Sequence, residues 1–373
     1  MNDLSLHGSN RTIYLIIDGM TETVMQNSTL SLARTPVING LVNERSIIGF
    51  YDPVIRPGDA EPKTDVVVPC YFGLPAHYNP GRTALELLDN GVKLKAGMLC
   101  VEVKVRFDSQ ADEDNWVKLK KVPDETVLQL EADLMSAIGH QNFVISKATE
   151  AGARILFYFK DLGQEDEALS ILPAVCKKHG LIAVKSSADM ISEEFLSFAD
   201  KSADTFFLGW AKGSLRGALR FCGLRVNEFS RKRDDFYNWS SYNANFDEWR
   251  VPVLQNGPAY QRYVLYTKES AFAARRGNQD KKREAIEFMD TILGKFLAVF
   301  PEEVFSIVVL SDHSADIGGN TNPSTHTSFA ILQAGYRDII SNPLVNFSET
   351  FIAGLGNKLF TQEEVISFIG QDS

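Results

Sequence analysis

Unbroken apolar runs lie near both ends of the chain. Residues 12–17 (TIYLII), 263–267 (YVLYT) and 305–310 (FSIVVL) contain no charged residue and no regular alternation. This pattern is typical of strands that are buried on both faces of a parallel sheet. Residues 279–297 instead repeat their apolar positions with the spacing of one helix face. Strands that alternate with helices predict an α/β core whose mostly parallel sheet is sandwiched by helices.

The middle of the chain has a different pattern. Residues 99–105 alternate apolar and polar side chains as a half-buried strand does, and residues 154–159 form a second strand pattern. Residues 127–138 and 165–178 have helical periodicity, and we expect Pro173 to kink or split the second helix. These elements predict an inserted α+β domain.

Length and charge narrow the possible functions. The 373 residues allow two or three domains, and we divide them into a core over residues 1–95 and 261–373 and an inserted domain over residues 96–260. The net charge of −10 argues against nucleic-acid binding, which needs a basic surface. No apolar run could span a membrane, the polar N-terminus has no signal core, and the four cysteines are scattered. We therefore expect a cytoplasmic protein with neither a membrane nor a nucleic-acid partner.

Acidic and imidazole side chains follow two of the buried runs. Asp18 comes directly after the first run, and Asp312-His313 come just after the last. Open α/β sheets place their ligands at the carboxyl ends of strands, where a carboxylate and an imidazole suit a cation such as zinc or manganese. The alternative is a structural pair at a strand end. His326 is a further candidate or an ordinary loop histidine.

Thr64 precedes an apolar segment, residues 66–73, that is predicted to form a short buried helix. One interpretation makes the Thr64 hydroxyl a helix N-cap. The other makes it a nucleophile, with a metal ion lowering the pKa of the hydroxyl. Arg82, on a predicted turn after Asn79, is either solvated or able to grip an anionic oxygen through its guanidinium group.

Taken in the order in which they occur along the chain, these motifs resemble those of the alkaline phosphatase superfamily. Within it the chain is most similar to the archaeal-type cofactor-independent phosphoglycerate mutases. Three segments carry the resemblance: IIDGM and LARTP in residues 16–36, TDVVVPCYFG and GR in residues 64–82, and SDHS, FSE and GLG in residues 311–356. Thr64 stands where that family has Ser. The resemblance implies an alkaline-phosphatase-like fold in which the inserted domain is a cap that selects the substrate.

The resemblance also implies a metal centre. The ligands of one divalent cation (manganese, zinc or magnesium) would be Asp18, Thr64, Asp312 and His313. A second cation would need His326 together with an Asp and a His, but the chain has Ala271 and Arg275 at those two positions. Neither side chain binds a cation. We therefore expect one metal ion, with the fixed charge of Arg275 where the second would be.

The sequence thus predicts a metal-dependent phosphoryl-transfer enzyme (a phosphomutase, phosphotransferase or phosphohydrolase) that acts on a small anionic phosphate or phosphonate metabolite. Its catalytic residues would be Thr64 as nucleophile, Arg275 and His326. Its substrate-binding residues would be Arg82, Asn79 and Lys268. Two sets of basic residues could each be either solvated or anion-binding, so they do not identify the substrate. These sets are Lys118, Lys120 and Lys121, and Arg216, Arg220 and Arg225.

Two other functions stay open. The first is a non-catalytic pseudoenzyme that binds a phosphorylated ligand or a protein partner without turnover. The second is a two-metal phosphoglycerate mutase whose missing ligands come from Glu269, Asp280 or a partner chain. The sequence is also compatible with a homo-oligomer.

Overall fold

The fold comes from a computed structural model of the chain. It describes residues 11–23, 26–43, 46–110, 122–138, 142–146, 153–160, 162–199, 204–209, 211, 213–228, 260–300, 305–318, 327–334, 345–356 and 358–370. These residues divide into two compact units. The first unit takes its described residues from 1–77, 200–211 and 222–373, and the second takes its own from 78–199 and 212–221.

Two sheets are formed by the described strands. The strands are β1 Thr12–Ile17, β2 Ile47–Asp52, β3 Leu99–Phe107, β4 Phe143–Ser146, β5 Ala153–Phe159, β6 Leu181–Met190, β7 Thr205–Gly209, β8 Arg225–Glu228, β9 Arg262–Thr267, β10 Phe305–Leu310, β11 Thr327–Ala334 and β12 Leu359–Thr361. The first unit holds an eight-stranded sheet with the order β12-β2-β11-β10-β1-β9-β7-β8. Every pairing in it is parallel except those of β11 with β10 and β2. The prediction of a mostly parallel sheet is confirmed.

Helices flank both sheets. Those described are α1 Thr29–Leu32, α2 Pro36–Leu41, α3 Thr64–Cys70, α4 Arg82–Asp89, α5 Asp124–Ile138, α6 Leu162–Lys178, α7 Glu193–Ser197, α8 Ser214–Phe221, α9 Glu269–Arg275, α10 Gln279–Val299, α11 Glu349–Gly354 and α12 Gln362–Gly370. Short 3₁₀ turns span Ala76–Tyr78 and Asp108–Gln110. None of the described helices combines the length and the apolar composition that a membrane span requires.

The central strand β1 is buried on both faces. Ile13, Leu15 and Ile17 share one hydrophobic core with the apolar face of α10. The alternate residue Tyr14 points to the other face, where its ring packs edge-on against Phe72 with centroids 5.2 Å apart. An apolar run without alternation suits this strand because neither of its faces meets solvent.

The second unit is built on an antiparallel sheet with the strand order β4-β5-β3-β6. Alternate residues of β3 and β5 pack into one core with α5 and α6. Arg154 of β5 donates two hydrogen bonds of 2.6 and 2.7 Å to Glu86 of α4. Helices α4 and α8 cross closely, because a Cβ atom on Gly217 would lie 1.8 Å from the Leu85 carbonyl oxygen.

Two features differ from the sequence-based expectation. Strands β7 and β8 lie within residues 96–260, yet they extend the large sheet through the β7–β9 pairing. Local patterns could not assign them, because the sheet to which a strand belongs depends on distant partners. Helix α6 also runs through Pro173 without a break. Its apolar side is buried against β5 and β6, and this burial outweighs the hydrogen bond lost at the proline.

Candidate metal centre

The carboxyl ends of β1 and β10 carry the candidate site. The two strands pair in parallel with Ile16 opposite Leu310, so the residues that follow them emerge at the same edge of the sheet. The backbone of Asp18 is fixed at this edge. Its N–H donates to the Thr267 carbonyl oxygen over 2.9 Å, and its carbonyl oxygen accepts from the Ala271 N–H over 3.0 Å. Asp18 is therefore held between the end of β9 and the start of α9.

Asp18, Asp312 and His313 form a compact cluster. One ligand atom from each lies within 4.8 Å of the others, and this is the one such group of His, Cys, Asp and Glu among the described residues. His313 Nδ1 is 3.1 Å from Asp18 Oδ1 and 3.2 Å from Asp312 Oδ2. Both carboxylates are buried, with exposures of 6% for Asp18 and 1% for Asp312.

Two buried carboxylate oxygens of this cluster fit a cation. Asp18 Oδ1 and Asp312 Oδ1 accept no hydrogen bond from any described residue. A buried polar atom without a partner is energetically costly, and a divalent cation would satisfy both oxygens at once. Two carboxylates and an imidazole are a suitable donor set for zinc or manganese. The residues at this place therefore fit a divalent metal ion.

Burial and mutual charge set the protonation of the cluster. Burial, reinforced by the negative charge of Asp312, raises the pKa of Asp18 to about 7. Burial opposes a charge on His313, but the Asp312 and Asp18 carboxylates outweigh it and raise the pKa of His313 to about 9. Burial also opposes a charge on Asp312, whereas His313 and the Thr64 hydrogen bond hold its pKa below the usual range. The carboxylates thus favour positive charge between them.

Thr64 contacts this cluster directly. It is the first residue of α3, and its Oγ1 donates a hydrogen bond of 2.6 Å to Asp312 Oδ2. The N-cap position belongs to Lys63, so the interpretation of Thr64 as a helix cap does not describe its hydroxyl. The structure instead joins the Thr64 hydroxyl to the carboxylate of a candidate metal ligand.

Ser311 braces the loop that carries Asp312 and His313. Its carbonyl oxygen accepts hydrogen bonds from Tyr51 Oη, over 2.7 Å, and from Thr327 Oγ1. Its own Oγ accepts from the Thr21 N–H over 3.3 Å and donates to the His313 carbonyl oxygen over 2.8 Å. The loops that follow β1 and β10 are thereby tied to each other.

The two positions at which the resemblance predicts ligands of a second metal lie on α9. Ala271 is buried against Gly19, because a Cβ atom on Gly19 would lie 2.8 Å from the Cβ atoms of both Ala271 and Ala315. Arg275 is exposed in the last turn of the helix. Burial raises the pKa of Asp18, and the charge of Arg275 acts in the opposite direction. Arg275 therefore places positive charge within electrostatic reach of the cluster.

A comparison with protein-family models gave no match, and a comparison with curated proteins gave no significant match. Solved structures do share its fold. The PH0037 protein of Pyrococcus horikoshii superposes with a TM-score of 0.70 at 16% identity, over 98% of this chain and 99% of that one. A cofactor-independent phosphoglycerate mutase from Thermoplasma acidophilum superposes with a TM-score of 0.56 at 14% identity, over 96% of this chain and 98% of that one. The chain has an alkaline-phosphatase-like α/β fold with an additional domain.

The predicted substrate-binding residues lie in different parts of the chain. Lys268 precedes α9, and its Nζ lies 4.9 Å from the centre of the Phe272 ring. Asn79 and Arg82 belong to the second unit. Asn79 Oδ1 accepts from the Gly81 N–H over 3.0 Å and so shapes the turn before α4, where Arg82 is exposed at the first helical position.

The three arginines of the middle region have hydrogen-bond or charge partners within their own units. Arg216 forms hydrogen bonds with Asp89 of α4, and Arg220 lies 3.6 Å from the same carboxylate. Arg225 belongs to the first unit and donates to Tyr260 Oη over 2.8 Å. These contacts explain the three arginines as structural residues. The remaining predicted residues lie outside the described part of the chain: His326, Lys118, Lys120 and Lys121.

Sequence reasoning missed Tyr266, which contacts the cluster, and Lys282, which joins the loops after β1 and β10. Tyr266 Oη donates to Asp18 Oδ2 over 3.2 Å. Lys282 is fully buried, and its Nζ donates to Glu22 Oε1 over 2.9 Å and to the Ala315 carbonyl oxygen over 2.7 Å. Tyr266 stood in an apolar strand pattern, and Lys282 stood among other charged residues of a helix. The one sequence feature that could have indicated a buried Lys282 is its spacing, which places it on the apolar face of α10.

Proposed function

We propose that the chain is a metal-dependent phosphoryl-transfer enzyme that uses Thr64 as its nucleophile. Its substrate would be a small anionic phosphate or phosphonate metabolite. The observation that carries the proposal is the 2.6 Å hydrogen bond from Thr64 Oγ1 to Asp312 Oδ2, beside a buried cluster whose Oδ1 atoms fit a cation. The likeness in fold to a phosphoglycerate mutase is consistent with this chemistry.

The proposed ligands of the cation are Asp18, Asp312, His313 and Thr64. When bound, a divalent cation supplies positive charge that lowers the pKa of a nearby hydroxyl and offsets charge on phosphoryl oxygens. We propose one cation, because Ala271 is packed against Gly19 and offers no donor atom. Arg275 would provide fixed positive charge instead of a second ion.

In the proposed reaction, Thr64 Oγ1 forms a bond to phosphorus while the bond from phosphorus to the leaving oxygen breaks. The hydroxyl proton passes to Asp312 Oδ2, which already accepts its hydrogen bond. His326 would donate a proton to the leaving oxygen. The phosphothreonine then yields its phosphoryl group to water or to a second hydroxyl. Arg275 and Lys268 would bind the anionic substrate. The substrate-binding roles of Asn79 and Arg82, which belong to the second unit, stay predictions from the sequence.

A phosphoglycerate mutase is the second candidate. The observation that favours it is the superposition on the Thermoplasma acidophilum enzyme over nearly the whole of both chains. A mutase returns the phosphoryl group to the same molecule at a different hydroxyl, so it must retain the free acid during the reaction. Interconversion of 3-phosphoglycerate and 2-phosphoglycerate by the purified protein would identify this activity.

Trapping of a phosphoenzyme tests the nucleophile. The manganese-loaded protein is incubated with a panel of phosphomonoesters that includes 3-phosphoglycerate, quenched with acid and mapped by mass spectrometry. We expect phosphate on Thr64 in the wild type and in Thr64→Ser, which keeps a hydroxyl. Thr64→Val, which has the same shape without a hydroxyl, should carry none. A Thr64→Val protein with wild-type turnover would refute the role of Thr64, and ligand binding without turnover in the wild type would favour a pseudoenzyme.

A further inference from the structure

We infer that Tyr266 is a positioning residue that presents a single oxygen of Asp18, Oδ1, to the cation. This inference rests on the proposed function, because it concerns the same metal centre. Tyr266 Oη donates to Asp18 Oδ2 over 3.2 Å, whereas His313 Nδ1 lies 3.1 Å from Asp18 Oδ1. The two oxygens of this carboxylate therefore have different neighbours. Oδ1 is the oxygen that accepts no hydrogen bond from a described residue.

Burial limits Tyr266 to an indirect role. The residue is 1% exposed, so a substrate that enters from solvent does not contact its hydroxyl. Asp18 is the candidate ligand that it contacts. Hydrogen bonds to metal ligands orient those ligands and tune the affinity for the metal. Tyr266 thus acts through Asp18, as a positioning residue and not as a catalytic one.

The Tyr266 ring packs against residues of the neighbouring strand β7. Phe207 lies against it, with ring centroids 5.6 Å apart. Gly209 pairs opposite Tyr266 in the β7–β9 register, and a Cβ atom there would lie 2.5 Å from the Tyr266 carbonyl oxygen. Strand β9 can approach β7 this closely because the opposing residue has no side chain. The hydroxyl therefore reaches Asp18 from a ring that is closely packed against β7.

The second carboxylate of the cluster also has one oxygen bound by a hydroxyl, and His313 Nδ1 lies 3.2 Å from that same oxygen, Asp312 Oδ2. Asp312 Oδ2 accepts a hydrogen bond from Thr64, and Asp312 Oδ1 is buried without one from a described residue. In both residues a hydroxyl occupies one oxygen, and the other is left to bind a cation. A carboxylate held in this way offers one donor atom instead of two. A divalent cation held by these residues would supply positive charge to phosphoryl oxygens.

Removal of one hydroxyl tests the inference. Tyr266→Phe keeps the ring and removes the donor to Asp18 Oδ2. Tyr260→Phe is the matched control, because Tyr260 is also buried but its Oη accepts from Arg225, and it precedes β9 whereas the cluster lies beyond the end of that strand. Titration calorimetry with manganese gives the affinity, and the visible absorption of the cobalt-loaded protein reports its coordination. We expect Tyr266→Phe to bind manganese about 10–100-fold more weakly and to change the cobalt spectrum, with little change in Tyr260→Phe.

The outcomes separate this inference from the proposed function. A wild type that binds no cation would overturn both. If the wild type binds one cation, two results would overturn the inference alone. Tyr266→Phe could match the wild type in affinity and spectrum, or both variants could lose the same amount of affinity for manganese. Should Tyr266→Phe fail to fold, Phe207→Leu loosens the ring while keeping the hydroxyl. Its affinity should then lie measurably below that of the wild type, and an unchanged affinity would overturn the inference.

Discussion

At the scale of the residue, the two oxygens of one carboxylate can have different tasks. Asp312 accepts the Thr64 hydroxyl with Oδ2, while its Oδ1 is buried without a hydrogen-bond partner among the described residues. The first contact provides a proton acceptor beside the proposed nucleophile, and the second atom fits a cation. A single aspartate can thereby link metal binding to activation of Thr64. The hydrogen bonds of Ser311 hold the loop on which this aspartate lies.

Asp290 shows that a buried carboxylate can instead serve the backbone. It lies on α10, where its oxygens accept hydrogen bonds from the Ile38 N–H over 2.8 Å and the Val37 N–H over 3.1 Å. These N–H groups belong to the first turn of α2. Burial raises the pKa of Asp290 to about 6, although both hydrogen bonds act to lower it.

The raised pKa of Asp290 predicts a pH-dependent stability. The folded state holds the proton more tightly than the unfolded chain, so this stabilisation is complete below pH 3.8 and is lost as pH rises through about 6. Relative to Asp290→Asn, which does not titrate, the wild type should lose about 1–3 kcal/mol of unfolding free energy over this range. Urea unfolding between pH 4 and pH 7 measures the difference. Asp280→Asn, an exposed site on the same helix, should show no such trend, and a flat difference for Asp290→Asn would contradict the prediction.

At the scale of the element, the loop after β1 depends on the absence of a side chain. Gly19 has a φ of +69°, and a Cβ atom there would lie 2.8 Å from those of Ala271 and Ala315. Small residues on α9 and on the loop after β10 thus allow three segments to meet beside Asp18. The Ser270 hydroxyl strengthens the junction by donating to the Gly19 carbonyl oxygen over 3.2 Å. Close packing of these elements fixes the direction in which Asp18 leaves its strand.

Gly19→Ala should therefore lower the free energy of unfolding by more than the strain of a positive φ alone accounts for. Gly277→Ala is the matched control, since Gly277 has a φ of +68° and no atom within 4 Å of an added Cβ. We expect Gly277→Ala to cost about 1 kcal/mol through its backbone conformation. Overpacking should cost Gly19→Ala about 1–3 kcal/mol more. Urea unfolding compares the two variants, and equal losses would show that the contacts with Ala271 and Ala315 are unimportant.

At the scale of the whole molecule, a cation would tie together loops that are distant in sequence. Asp18 and Asp312 are separated by nearly three hundred residues, yet their carboxylates lie in one cluster. The chain already joins these loops through Lys282, which binds Glu22 after β1 and Ala315 after β10. Burial lowers the pKa of Lys282, and Glu22 opposes that shift. A bound cation would add a further link between the two loops.

Metal binding should consequently stabilise the folded chain with a stoichiometry of one. Elemental analysis after loading with manganese or zinc should find about one ion per chain in the wild type and none in Asp312→Ala. Free metal at a hundred times its Kd should add about 2.7 kcal/mol of stability to the wild type. Denaturant unfolding with and without metal measures this gain. Two ions per chain would contradict the single-metal proposal. Glu269 and Asp280 would then be the candidate ligands of the second ion.

The sequence by itself determined the α/β class, the buried strands and the order of the polar residues that follow them. Those features are local, because an apolar run and the residue after it are consecutive in the chain. Only the tertiary structure decided that β7 and β8 extend the large sheet, that α6 continues through Pro173, and that Tyr266 contacts Asp18. Strand order, packing across helix faces and hydrogen bonds between distant residues depend on which segments meet. No window of neighbouring residues contains that information.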